Sequence, residues 1–488
     1  MTKNKVAKHS VKTNFVYNII STVSGLLFPL LTFPYASRVL MADGIGQVQF
    51  FTSIINYVVL LTSLGIPMYA IREIARVRDN QVELSKTTAE IILLSLFLAF
   101  LGYIGLAVIC FVVDEVQLNI PLFLILSSTL LISTIGCSWF YSGVEDFKFV
   151  TLQGLVVKVV CVAFLYIFVK TPEDLLCYGV YTVLGSIGNY IINFFRLHSY
   201  VSLSSFAWRD LRPFRHLKPA LAIFILNLVT SIYINLDTVM VGFLQDNAAV
   251  GYYTAATKIS HLVLTLVVAL GPVMLPRLSN LVKNENEEEF YRLANKSYKF
   301  SLLLSFPMCM GLIVMSPTMI HLFSGDSFEP AVNTLQIISP IIVAIAISNL
   351  IGIQVLYPLG KIKTVTISTC IGAIINFSLN LLLIPKYSQN GAAMATVAAE
   401  WGVTLTLFIL AYKILPFKII NRSFIKYGLS SIVMAILCGL FMSIGWSDAI
   451  NIIAVPAIGV LIYGGLMLLF RDDVTRETLN IVKNKFTI

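Results

Sequence analysis

Fourteen predominantly apolar runs, near 14–37, 45–66, 88–112, 120–141, 149–169, 175–196, 218–243, 250–272, 299–323, 331–357, 364–385, 391–412, 426–445 and 450–470, account for most of this 488-residue chain. A helix needs about 20 apolar residues to cross the hydrocarbon core of a bilayer. The sequence therefore predicts an all-α polytopic membrane protein with about fourteen transmembrane helices. Composition agrees, since only 12% of residues are charged, about half the share in soluble proteins. Every connecting loop is short, which leaves no room for a free-standing soluble domain.

The charges report orientation. With both termini cytoplasmic, 29 of the 34 lysines and arginines fall in the inside segments, the bias that orients membrane proteins. Only Arg38, Lys170 and Lys386 lie outside, and Lys158 and Lys258 sit within spans. The net charge of +9 is thus a topology signal, and nucleic acid is not an expected partner. The basic start MTKNKVAKHSVKTNF leads into a run too long for a signal peptide and without an A-x-A cleavage pattern, so it reads as a retained first span. The seven cysteines all lie in apolar runs and read as packing residues.

The chain also repeats itself. Placing Gly46 on Gly251 aligns Thr52 with Thr257, Ile54 with Ile259, Pro67 with Pro272 and Arg72 with Arg277 without gaps. A second echo sets Ile135, Gly136 and Tyr141 on Ile351, Gly352 and Tyr357. Span 2 thereby matches span 8, and span 4 matches span 10. Six is an even number of crossings, so both copies face the same way. The expected organisation is an N-lobe of six helices (1–197), a cytoplasmic linker (198–217), a parallel-repeat C-lobe of six (218–415), and two further helices with a tail (416–488). Two lobes around a midplane site are the minimal machinery of alternating access.

Ionisable residues inside spans are the strongest functional pointers in such a chain. Lys158 lies about nine residues into its span, roughly 14 Å deep at helical rise, beyond the reach of a snorkelling stem. It is either one half of a structural ion pair, with Glu400 as the partner within reach of the pattern, or a cation lining a watery cavity. Asp237 and Lys258 flank the short turn between spans 7 and 8 at similar depth, as a structural bridge, a gate or substrate contacts. His261, one turn deeper than Lys258, and Glu400 in mid-span are ion-coupling candidates. Asn349, Gln354 and neighbouring amides read as interhelical glue or sugar contacts. Trp139 and Tyr141, in WFYSG, form either an interfacial aromatic belt or a stacking surface for sugar rings. Pro29 and Pro34 should kink or break the first span, and Arg38 follows at its outer end.

No phosphate-binding loop, metal-ligand spacing or nucleophile elbow occurs, so the sequence predicts no enzyme and no cofactor. Transport would then be passive, or driven by a proton or sodium gradient or by the membrane potential. The segments PYASRVLMADGIGQVQFF, WFYSGVEDFKFVTLQGLVVKVV, NLDTVMVGFL with VGYYTAATKI, and LYPLGKIKTVTI resemble the polysaccharide-exporter family. These are the O-antigen and capsule repeat-unit flippases of the multidrug/oligosaccharidyl-lipid/polysaccharide exporter superfamily, and the resemblance spans at least the first twelve helices. It implies movement of an undecaprenyl-pyrophosphate-linked oligosaccharide from inner to outer leaflet of the bacterial cytoplasmic membrane, with a polysaccharide polymerase as a partner. It implies a cationic cavity as well, in which Lys158, then Arg38 and Lys258, would meet the pyrophosphate while Asp237 holds or releases Lys258. An ion-coupled multidrug or cation exporter of the same superfamily is the rival. That rival should have a more acidic cavity. A membrane-embedded polymerase would need a larger outer loop than SGDSFEP or KTPEDL provides.

Overall fold

A computed structural model of the chain describes residues 11–415 and 417–477, with side chains described except at 11–16, 18, 19, 26, 203 and 225–234. The side chain of Asn227, one of the mid-span amides, and the residues after 477 are thus not described. All regular structure among the described residues is helical. The contacts group into two compact units, 1–239 and 240–488.

The first unit contains α1 (Val11–Ser63), α2 (Ile66–Val77), α3 (Gln81–Val112), α4 (Asp114–Gln117), α5 (Ile120–Ile135), α6 (Ser138–Gly143), α7 (Phe147–Phe168) and α8 (Leu175–Leu197). Three short 3-10 turns between Leu203 and His216 follow, and then α9 (Leu217–Leu244), inside which the division between units falls. The second unit contains α10 (Asn247–Val268), α11 (Leu270–Lys283), α12 (Glu287–Ser324), α13 (Ala331–Ile338), α14 (Ile341–Asn349), a π-helical segment (Leu350–Leu356), α15 (Ile362–Tyr387) and α16 (Gln389–Ala411). It closes with α17 (Arg422–Met442) and α18 (Asp448–Leu469), both packed on α12.

Twelve of these stretches are long and apolar enough to cross a membrane. One of them, Ile20–Ser63, is two spans joined at Met41, where φ is 58° and the helix is interrupted. With α9 added, the fourteen expected spans are accounted for. The position of the first break differs from expectation. Helical geometry carries through Pro29 and Pro34 and fails only at Met41, since a proline removes one hydrogen bond whereas a left-handed residue redirects the chain.

Both copies of the repeat interrupt their helices at matching places. In the first, Leu64 and Gly65 adopt left-handed φ values and α2 restarts with Pro67 in its first turn. In the second, α10 gives way to α11 at Ala269, with Pro272 in the first turn of the new helix. Gly65 has no substitute. A Cβ there would lie 2.8 Å from both the Ala220 carbonyl oxygen and the Phe224 nitrogen, and φ is already +72°. The second echo behaves similarly. After Gly136 the chain turns through left-handed Cys137 into α6, whereas the matching stretch around Gly352 accommodates the disturbance as a π-helical run.

The 3-10 turns of the linker are fastened to α3. The Gln81 side-chain amide donates to the Tyr200 carbonyl, and the Ser202 amide donates to Ser85 Oγ at 3.0 Å. Glu90, fully buried, accepts from the Arg212 main chain at 2.8 Å, from Arg215 Nη2 at 2.6 Å and from His216 Nε2 at 3.0 Å. His216 Nδ1 lies 2.7 Å from the Tyr69 hydroxyl on α2. A carboxylate only accepts, so Nε2 carries the hydrogen and Nδ1 accepts from Tyr69. Burial pushes the His216 imidazole below its ordinary pKa, against the pull of Glu90.

Candidate functional site

The mid-span lysine sits on a zipper between two helices. Thr151 Oγ1 donates to the Tyr17 carbonyl at 3.2 Å, Lys158 Nζ to Ser24 Oγ at 2.8 Å, and the Tyr35 hydroxyl to the Val169 carbonyl at 2.8 Å. All three partners are 134 residues apart. A constant offset means that α1 and α7 run parallel and in register along their length, as two odd-numbered spans must. On α7, Thr151, Lys158 and Leu165 recur at heptad spacing on the stripe that faces α1.

Lys158 lies eleven residues from Phe147 and ten from Phe168, so it is near the middle of its helix, about 15 Å from either end. Ser24 accepts from it and donates onward to the Ser21 carbonyl at 2.8 Å. The Cβ position of Gly25 is 3.9 Å from Nζ, leaving the ammonium beside bare backbone. Lys158 forms no ion pair with any described residue. Within its own unit the partner of the ammonium is the Ser24 hydroxyl and not a carboxylate. The charge is solvated by a hydroxyl, stays half-buried and lacks a counter-charge.

Arg38 is exposed and donates from Nη1 to the Pro34 carbonyl at 2.7 Å. It follows Ser24 by fourteen residues on α1, about 21 Å at helical rise, and so does not join Lys158 around one diphosphate. Asp237 is buried within the first unit, in electrostatic range of Tyr57.

In the second unit, Lys258 is half-buried and His261 exposed on α10, while Glu400 is half-buried on α16. The Tyr253 hydroxyl and Thr396 Oγ1 meet at 3.1 Å, six and seven residues into their respective helices. Both helices are even-numbered spans and run the same way. Lys258 and Glu400, five and four residues further on, consequently lie at similar depth on neighbouring helices. Opposite charges at matched depth here were not anticipated from the sequence, which linked Lys258 to Asp237 through the turn. Asn349 and Gln354 bracket the start of the π-helical segment and converge on Gly271, whose Cβ would lie 2.9 Å from Asn349 Oδ1 and 3.8 Å from Gln354 Nε2. Gln354 is 2% exposed, and its Oε1 has no hydrogen-bond partner. It is thus placed for packing in this conformation and cannot reach a sugar.

The aromatic cluster is likewise structural. Trp139 is 5% exposed and Tyr141 fully buried, in a core with Phe140, Leu197, Tyr200 and Ile74. The Tyr141 hydroxyl donates to the Asn193 carbonyl at 2.6 Å. The adjoining GVEDF turn explains the rest of that motif. Asp146 caps α7 through the Phe149 amide, accepts from the Tyr200 hydroxyl at 2.9 Å and pairs with Arg196 at 3.1 Å. The Arg196 guanidinium covers the Phe149 ring at 3.7 Å. Neither aromatic face is open for a sugar ring. Among the described residues no cluster of His, Cys, Asp and Glu could hold a metal ion.

Fourteen helical spans in two units with matching interruptions, and charges within the spans, define a polytopic helical membrane protein of the duplicated transporter type. The profile of the "Polysaccharide biosynthesis protein" family matches residues 11–282, more than half of the chain, and the chain belongs to that family. The MatE profile matches residues 222–382. Among known relatives, a protein described as an O-antigen transporter from Shigella dysenteriae is 25% identical over 406 residues, covering 82% of this chain and 99% of the relative. Another of the same description from Escherichia coli K12 is 24% identical over 416 residues, covering 84% and 99%. The solved inward closed conformation of the lipid II flippase MurJ superposes with a TM-score of 0.72 at 19% identity, covering 94% of this chain and 99% of that one. At that identity the likeness establishes the shared fold.

Proposed function

We propose that this protein is a flippase that carries undecaprenyl-pyrophosphate-linked oligosaccharide repeat units from the inner to the outer leaflet for O-antigen or capsule synthesis. The carrying observation is Lys158. A mid-span ammonium that meets a hydroxyl and no carboxylate retains an unmet preference for an anion, and a diphosphate supplies one. The family match and the relatives described as O-antigen transporters support the same reading, which is transport and not catalysis.

On this reading the protein resides in the bacterial cytoplasmic membrane with both termini inside, and hands its cargo to a polysaccharide polymerase. Lys258 and Glu400, matched in depth, serve as a charge pair whose state follows a proton or sodium gradient or the membrane potential, with Asp237 and His261 as further gating or ion-coupling residues. Arg38, far from Lys158 along α1, acts later in the path of the head group. The MatE match supports one rival, an ion-coupled exporter of cations.

Purified protein in liposomes containing a lipid-linked repeat unit tests both readings. The appearance of oligosaccharide at the opposite leaflet is followed for the wild type, Lys158→Ala and Lys158→Arg. Movement by the wild type and the arginine variant, lost in the alanine variant, is expected. Undiminished movement by Lys158→Ala would overturn the head-group role. Efflux of a cationic dye without oligosaccharide movement would transfer the protein to the exporter reading.

A further inference from the structure

A cavity of about 630 Å³ opens at the end of α16, lined by Leu405, Phe408, Tyr412, Leu415, Phe417 and Lys418, with Ile419 and Ile420 closing it. Its volume is that of a small-molecule site. No residue discussed so far for transport lies in it. The local sequence explains its shape. Leu405, Phe408 and Tyr412 recur at helical spacing on one face of the α16 end. Beyond them the chain runs without helix toward Asn421, which caps α17 by accepting from the Phe424 amide at 3.0 Å. Along that stretch the side chains alternate. Phe417 and Ile419 are buried, whereas Lys418 and Ile420 face outward.

The cavity floor is anchored from within the unit. The Phe417 ring stacks on Tyr298 of α12 with centroids 4.2 Å apart and planes 8° from parallel, and the Tyr298 hydroxyl donates to the Ile419 carbonyl. Its outer side opens toward the lipid-facing surface, for Leu405 is 50%, Tyr412 58% and Ile420 70% exposed. One lining residue, Lys418, is a cation, and Lys413 and Arg422 flank the lining stretch in sequence; all three are exposed and none forms an ion pair with a described residue. The Lys413 ammonium lies 5.8 Å from the centroid of the lining Tyr412 ring. Lys426, one turn beyond Arg422, is by contrast already held by Asp472. An apolar slot with basic residues in and beside its lining therefore opens at the level where the span ends.

We infer that this cavity is a binding site for an anionic phospholipid of the inner leaflet, with an acyl chain against Leu405, Phe408 and Tyr412 and the phosphate at Lys418. The charge pattern selects the ligand. A zwitterionic lipid would fill the slot but leave the three cations without a net counter-charge, whereas an anionic head group satisfies both demands. Basic residues near a membrane surface attract anionic lipids with about a fivefold gain in binding for each. The choice of leaflet rests on the orientation given under the proposed function, but the site itself does not, because neither Lys158 nor the charge pair of α10 and α16 takes part in it.

The test is native mass spectrometry of the full-length protein in a nonionic detergent, titrated with phosphatidylglycerol or phosphatidylcholine. The wild type should retain one phosphatidylglycerol in preference to phosphatidylcholine. Lys413→Ala with Lys418→Ala should weaken that retention roughly 25-fold and reduce the preference by the same factor. Leu405→Trp, at a half-exposed position where folding is not at stake, should exclude both lipids by filling the slot. Equal retention of the two lipids by the wild type would overturn the inference, as would unchanged retention in the lysine variant. Displacement of phosphatidylglycerol by equimolar undecaprenyl phosphate would also overturn it, by assigning the cavity to the transported lipid's tail.

Discussion

Replacing Glu90 with alanine isolates what holds the linker to the first unit. In the native protein its two oxygens receive the Arg212 amide, the Arg215 guanidinium and the His216 ring. After truncation Arg215, whose side chain is 46% exposed, returns to water at little cost. Arg212, an exposed residue, can likewise turn its amide to water. The His216 ring has no such recourse, for its side chain is 4% exposed, and a buried donor left without an acceptor costs about 1–3 kcal/mol. That cost falls on local opening of the 198–216 segment and not on the whole unit, whose core lies among α2, α3 and α6. Limited trypsin digestion in detergent reads this directly at Arg209 and Arg215, as Pro213 protects the bond after Arg212. A 3 kcal/mol loss corresponds to roughly 100-fold faster cleavage. Glu90→Gln, which keeps an acceptor for the Arg212 amide, should fall between. Cleavage of Glu90→Ala within about threefold of wild type would refute the idea that this carboxylate fastens the linker.

Acidification should act on the same latch. His216 has a depressed pKa in the fold, so its contribution is present above the ordinary imidazole value and is lost as pH falls below it. Trypsin cleavage at Arg209 should therefore quicken between roughly pH 7 and pH 5 after correction for protease activity, and His216→Gln should flatten that rise. Trp139→Ala should cost about 3–5 kcal/mol by emptying core space, seen as a lower melting temperature in detergent for every substrate tested; a shift in sugar preference at unchanged stability would contradict its burial. Gly65→Ala should destabilise far more than Gly271→Ala, since the first meets immovable backbone at a positive φ, worth about 1–2 kcal/mol by φ alone, and the second only a movable amide. Equal melting temperatures for the pair would refute the comparison. Ser24→Ala should leave flipping intact while Lys158→Ala abolishes it, if the serine merely solvates the lysine in the absence of cargo.

The number of spans, the repeat and the depth of Lys158 were legible because each depends on local quantities: run length, spacing and helical rise. The sequence misplaced what depends on contacts between distant segments. Glu90 reads as an ordinary charge near a helix start, for its partners Arg212 and His216 lie 122 and 126 residues away. Trp139 and Tyr141 look interfacial by composition. They are buried because Cys137 turns left-handed and tips α6 into the core, a conformation that no residue type there announces. Met41 is a similar case, with two prolines nearby that carry the conventional signal for a break while the break falls elsewhere.

Lys158 shows where local reading and tertiary contact must be combined. Depth alone made it expensive, and expense alone fitted either a buried ion pair or a ligand site. The register of α1 against α7 shows what the neighbouring helix supplies. A fixed offset of 134 places Ser24, and no carboxylate, opposite the ammonium. Had α1 been shifted by one turn, Ser21 or Phe28 would face the lysine, and the donor would meet either another hydroxyl or a ring. In none of these registers does α1 offer an acid, because its membrane-embedded stretch from Phe15 to Leu40 contains none. The helix that covers Lys158 is thus incapable of neutralising it, and the counter-charge that makes a mid-span lysine tolerable must come from outside that helix pair. On the proposed reading an anionic cargo would meet that requirement during transport, with the Ser24 hydroxyl holding the ammonium between cycles.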